Sequence, residues 1–212
     1  MNERYKVYNT HGFQIYLNVT ESGMMKARAS EQYEPNKFEW LKNNLTSKDV
    51  FIDVGANKGD FTLLAAMYCS EVYAVEPHPD NIEWLKKSID LNNYNNVNVL
   101  QGCATDCPGK VDLGIGGLSG HHSITAPRNK SIPVTGFRLD ESIPSNHTQL
   151  VVKIDVEGAE KLVLEGMKHI MHNVRAFLID VDSGDVQGVK QYLHGFDFIS
   201  TGREIICYRK TG

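Results

Sequence analysis

Short apolar runs alternate along this chain with stretches of helical spacing, and the alternation predicts most of its elements. Val50, Phe51, Ile52 and Val54 form a nearly continuous apolar run interrupted by Asp53, the pattern of a parallel strand buried on both faces. A turn bracketed by Gly55 and Gly59 leads into a helix that starts at Asp60 and carries Leu63, Leu64, Ala65 and Tyr68. Val72 to Pro77 reads as a second strand, Pro79 opens a helix with Ile82, Leu85 and Ile89 on its buried stripe, and Val97 to Leu100 is a third strand. Lys110 to Ile115 and Ile132 to Phe137 predict two short strands around a Gly-, Ser- and His-rich segment from Gly116 to Ser131, the expected acceptor-facing loop. Leu150 to Val156 then reads as a buried strand, Gly158 to Ile170 as a helix and Val174 to Val181 as a strand. A helix from Val186 to Leu193 and an antiparallel closing hairpin, Phe196 to Ile199 with Glu204 to Tyr208, end the chain. Strands alternating with helices imply an α/β fold with a largely parallel sheet. Ahead of it, Tyr5 to Val19 alternates around His11-Gly12 as a β-hairpin, and Glu34 to Leu45 has a helical stripe of Phe38, Leu41 and Leu45. Residues 1–48 therefore read as an N-terminal hairpin and helix, a lid or cover, and residues 49–212 as the main domain.

The turn after the first buried strand carries the chemistry. Roughly twenty residues beyond it, Glu76 ends the second strand with a carboxylate able to accept hydrogen bonds from both hydroxyls of a ribose. A dinucleotide site uses G-x-G-x-x-G so that backbone N–H groups can hold a pyrophosphate. This loop reads D-x-G-x-x-x-G, with Asn57 in place of the middle glycine and Asp53 at its start. A carboxylate there repels phosphate and suits the ammonium and sulfonium charges of S-adenosylmethionine. Asp53, Gly55, Gly59 and Glu76 are thus the expected cofactor-facing positions, and the segment from Gln101 to Asp106 passes the adenine edge.

Length and charge narrow the class further. The 212 residues, 41% hydrophobic, can bury one sizeable core, and a net charge of −4 argues against a broad nucleic-acid or anionic-membrane footprint. No stretch approaches the roughly 20 apolar residues of a membrane span, and the start lacks the apolar core of a secretion signal, so the chain reads as soluble and cytoplasmic. Cys69, Cys103, Cys107 and Cys207 show no paired C-x-x-C spacing, which argues for reduced thiols rather than a zinc site. The edge from Tyr5 to Leu17 could pair with a second copy as a homodimer.

VFIDVGANKGDFTLLAA, VYAVEPHPDNIEWLKKSIDLNN, VTGFRLDES and above all VVKIDVEGAEKLVLEGM resemble the FkbM family of S-adenosylmethionine-dependent methyltransferases, over about Val50 to Val181. The resemblance implies a Rossmann-like class I methyltransferase fold: a seven-stranded, mostly parallel sheet with an antiparallel last strand in a three-layer αβα arrangement. It also implies O-methylation of a hydroxyl on a sugar, glycan or other small-molecule acceptor. The resemblance implies, by motif, that Asp53, Gly55, Ala56, Asn57 and Gly59 form the cofactor loop, that Glu76, Pro77 and Ala104 border the cofactor, and that Asp155, Glu157 and Glu160 fall beside its methionine end and the acceptor. FLIDVD departs from the family, offering Asp180 and Asp182 where the strand usually ends in Glu. A hydroxyl acceptor needs its proton removed, and the candidate bases are His121, His122, Asp155 and Glu157. For His121 and His122 the reading as solvated loop residues stands equally beside the catalytic one, which their loop position keeps in play. Lys153, an ammonium within a buried strand, must be paired with an acid. No metal is expected, although Asp155, Asp180 and Asp182 at neighbouring strand ends would suit magnesium. The alternatives are an inactive cofactor-binding module acting through a partner, or an NAD-linked oxidoreductase, which Asp53 and Asn57 disfavour.

Overall fold

In a computed structural model, residues 4–117, 121–126, 128–199 and 203–210 are described. The elements run β1 (Tyr5–Thr10), β2 (Phe13–Asn18), α1 (Ser22–Ala29), α2 (Pro35–Asn44), β3 (Val50–Val54), α3 (Asp60–Ala66), β4 (Glu71–Glu76), α4 (Pro79–Leu91) and β5 (Val97–Gln101). There follow β6 (Cys103–Ala104), β7 (Gly109–Gly114), β8 (Ser131–Phe137), α5 (Leu139–Ser142), β9 (Leu150–Ile154), α6 (Glu160–Glu165), β10 (Val174–Asp180), α7 (Val186–Lys190), β11 (Phe196–Phe198) and β12 (Glu204–Arg209).

The central sheet has seven strands in the order β11-β12-β10-β9-β3-β4-β5. β5, β4, β3, β9 and β10 are parallel, and β12 enters antiparallel to β10. This is the Rossmann-like methyltransferase arrangement that the family resemblance implies.

Period-two alternation sorts the sheet's side chains onto its two faces. Val50, Ile52, Val54, Val152 and Ile154 join Val163 and Leu164 of α6 and Val189 of α7 in one core. Phe51, Val72, Ala74 and Val151 join Leu63 and Leu64 of α3, Leu85 and Ile89 of α4, and Phe38 and Leu41 of α2 in the other. The N-terminal hairpin adds Phe13, Ile15 and Leu17 to that second core.

β7 and β8 stand outside the main sheet, where they form a three-stranded sheet with β6. The helix expected from Gly158 to Ile170 is regular only over Glu160–Glu165, and turns carry the chain on to a short 3-10 turn at Met171–Asn173. α1 has no counterpart in the sequence reading. Among the described residues, no helix is long and apolar enough to cross a membrane.

Candidate active site

The carboxyl ends of β3, β4, β9 and β10 open on a cavity of about 350 Å³, where ligands of open α/β sheets sit. At Gly55, φ is +82° and an added Cβ would lie 1.9 Å from the Asp155 carbonyl oxygen, so only glycine lets the loop pass the end of β9. The Gly55 and Ala56 N–H groups donate to the Val75 carbonyl at 3.0 Å, fixing the loop against β4. Gly59 serves packing: its Cβ position, 2.4 Å from a Leu85 methyl, is where α3 meets α4, and it does not line the cavity.

Glu76 is buried on the cavity wall. Its Oε2 accepts the Asn57 N–H at 2.8 Å, and its Oε1 accepts the His78 N–H at 2.8 Å and the Asn81 amide at 3.2 Å. Burial pushes its carboxyl up, and these three donors oppose that push. A carboxylate offers roughly four lone-pair sites, so the three donors orient the group and leave capacity for a ligand hydroxyl. Ala56, Asn57, Pro77 and Ala104 line the same cavity, and the Asn57 Oδ1 is buried with no hydrogen-bond partner among the described residues.

Asp53 stands elsewhere. It is fully buried and absent from the cavity lining, with Oδ1 taking the Lys153 ammonium at 3.1 Å and Oδ2 the Thr62 hydroxyl at 2.6 Å. The cause is register: Asp53 and Lys153 are direct partners across the parallel β3–β9 ladder, and both point to the α3 face. Asp53, expected as a direct cofactor contact, is instead held by Lys153 and Thr62 and does not line the cavity, whereas Lys153 does. Lys153 also donates to the Gly55 carbonyl at 3.3 Å and lies 3.5 Å from Asp155. Burial works against its charge, but Asp53 and Asp155 override that and hold the ammonium above its ordinary value.

A carboxylate-rich region completes the cavity, with Glu34, Asp155, Glu157, Asp180 and Asp182 all in its lining. Glu157 adopts φ 52° ahead of Gly158 in a tight turn beyond β9. Glu160, fully buried, accepts the Gly158 N–H at 2.8 Å and the Asp182 N–H at 3.2 Å, tying the turns after β9 and β10 together. Burial raises the Glu157 carboxyl, and Asp182 adds to the effect. Asp182 is raised by burial and by Asp155 and Asp180. Asp180 is ion-paired to Lys37, which also holds Glu34 at 2.5 Å.

His121, His122 and Ile124 of the segment 121–126 line the cavity. Ser123 pairs with Gly114 in an isolated bridge, and its hydroxyl donates to the Glu157 carbonyl at 2.7 Å. His122 stacks on His78 at 4.3 Å, and its Nδ1 accepts the Gly116 N–H at 3.1 Å. Burial, with His78 and Lys58 nearby, pushes His122 down to about 4, which keeps the ring neutral near pH 7 and makes it a weak base. Four further lining residues, Met24, Arg28, Tyr33 and Glu34, come from α1 and the turn before α2. No motif marks them; the one sequence signal is that Met24, Arg28 and Tyr33 lie ahead of the expected helix from Glu34 to Leu45, and Glu34 opens it.

The Methyltransferase FkbM domain matches residues 53–200. Hexuronic acid methyltransferase AglP of Haloferax volcanii is 28% identical over 156 residues, 71% of this chain and 63% of that protein. The fold is shared with the methyltransferase FkbM from Methylobacillus flagellatus, with a TM-score of 0.55 and 18% identity over 79% of this chain and 44% of that one. TYW2 from M. jannaschii, solved in complex with AdoMet, overlays with a TM-score of 0.51 and 13% identity over 99% of this chain and 89% of that one. The chain thus spans less than two thirds of the length of AglP.

Proposed function

This chain belongs to the FkbM family of methyltransferases, with S-adenosylmethionine as its cofactor, and we propose that it methylates a hydroxyl of a sugar or other small molecule. The cavity fits the cofactor by the chemistry of its walls: an oriented carboxylate at Glu76, an amide oxygen at Asn57 with no hydrogen-bond partner among the described residues, and a carboxylate-rich region suited to positive charge. When bound, S-adenosylmethionine supplies an electrophilic methyl group to a nucleophile aligned behind it.

The observation that carries the O-methylation reading is Glu157, a half-buried carboxylate with a raised pKa in the same cavity as Glu76. A base poised nearer neutrality than a free carboxylate is what a hydroxyl acceptor requires. In this reading Glu157 takes the proton of the acceptor hydroxyl. Asp155, ion-paired to Lys153, orients charge beside it, and His121 borders the acceptor. The similarity to a hexuronic acid methyltransferase supports a sugar acceptor.

The test is incubation with S-adenosylmethionine and a panel of hexuronic acids and neutral hexoses, read by mass spectrometry. A product carrying one added methyl group that survives mild base is an ether and supports the reading. A base-labile ester, or no product across the panel, overturns it.

A further inference from the structure

α1 lies outside the matched family domain, yet it supplies a buried cation to the cavity. Arg28 and Lys153 are the only Lys or Arg side chains among the described lining residues. Lys153 is committed to Asp53, Asp155 and the Gly55 carbonyl. Arg28 pairs with one acid among the described residues, Asp60, and interacts with Tyr33, where Lys153 has two acids. It is 3% exposed, its Nε lies 3.1 Å from Asp60 Oδ2, and that nitrogen has no aligned hydrogen-bond partner among the described residues. The Tyr33 ring, centred 4.6 Å from the guanidinium carbon, stacks against it.

The helix is held in place for this task. Glu21, just ahead of it, pairs with Lys58 at 3.3 Å, and Arg28 near its end pairs with Asp60 at 3.1 Å, so its two anchors flank Gly59 of the cofactor loop. The Thr10 hydroxyl also donates to the Arg28 carbonyl at 2.8 Å. Such anchoring fixes a fork of donors on the wall of a cavity whose remaining charges are mostly carboxylates. The cofactor brings an amino-acid end with an ammonium and a carboxylate. Carboxylates abound for the first, whereas the second needs a cation, and a guanidinium is the group that binds it by paired hydrogen bonds.

We propose that Arg28 binds the carboxylate of the cofactor's methionine end, so that α1 completes the cofactor site. The inference rests on the cofactor and is independent of the acceptor, so the product assay above can fail without touching it.

The test is a binding cycle by calorimetry, comparing S-adenosylhomocysteine with its decarboxylated analogue, which keeps the amine. The wild-type protein should prefer the carboxylate-bearing ligand by about 10- to 100-fold, the range of a charge-assisted hydrogen bond. Arg28→Met combined with Asp60→Asn, which removes the acid that would otherwise be left unpaired, should bind the two ligands alike. Because the readout is a ratio, general weakening of the pocket cancels. A preference that survives in the double variant, or one missing from the wild type, overturns the proposal.

Discussion

Lys153 shows how far a single residue can be understood from its neighbours in sequence. An ammonium in a buried strand demands an acid, and the acid is there. The same logic misplaces Asp53, because a carboxylate at the start of a glycine loop can face a ligand or a lysine, and only strand register puts Lys153 directly across from it. Lys153→Met should therefore cost about 3–5 kcal/mol in chemical denaturation by leaving Asp53 buried and unpaired, and Asp53→Asn in the same chain should recover part of the loss. Glu157 makes a prediction of pH dependence. It accepts a proton only when ionised, and burial with Asp182 beside it raises its pKa. The acid limb of the kcat profile should accordingly lie above the roughly 4.3 of a free glutamate, activity being lost as pH falls through the raised value. In Asp182→Asn, with one neighbouring charge gone, that limb should move to lower pH; an unmoved limb assigns the ionisation to another group.

At the scale of elements, patterning succeeded where apolar side chains do the anchoring. α4 shows its stripe plainly, as does the hairpin that packs on it, where the Tyr16 N–H reaches the Ser88 hydroxyl at 3.1 Å and Tyr5 stacks on Trp84 at 3.8 Å. α1 fails the same test because its sequence, SGMMKARA, has no apolar stripe, and its end is anchored by a buried Arg28. Ion pairs with partners more than thirty residues away have no local signature. The segment 121–126 is a similar case. The structure shows it strapped to the turn after β9 through Ser123, a residue that the sequence presents as one polar loop position among many. Ser123→Ala removes that strap and should raise KM for the acceptor several-fold in steady-state kinetics, with a smaller change in kcat.

Across the whole molecule, β2, α2 and the sheet share one core, since Phe13, Ile15, Leu17, Phe38 and Leu41 pack with Phe51 and Leu64. Ligand bound between the sheet and the N-terminal segment should then stabilise both together. S-adenosylhomocysteine at about one hundred times its dissociation constant adds roughly 2.7 kcal/mol, or about 5–10 °C in Tm for a chain of this size. A single transition moving as a unit is expected; a shift confined to part of a split transition would separate the N-terminal segment from the site.

The sequence by itself determined the sheet, the glycine loop, Glu76 and the family, because buried parallel strands and a tight cofactor turn are written in contiguous residues. Tertiary structure alone decided that Asp53 pairs with Lys153, that Glu160 ties two turns together, and that Arg28 reaches the cavity. Each of these depends on which distant backbone a side chain meets, and a burial pattern records only that a position is covered, not by what.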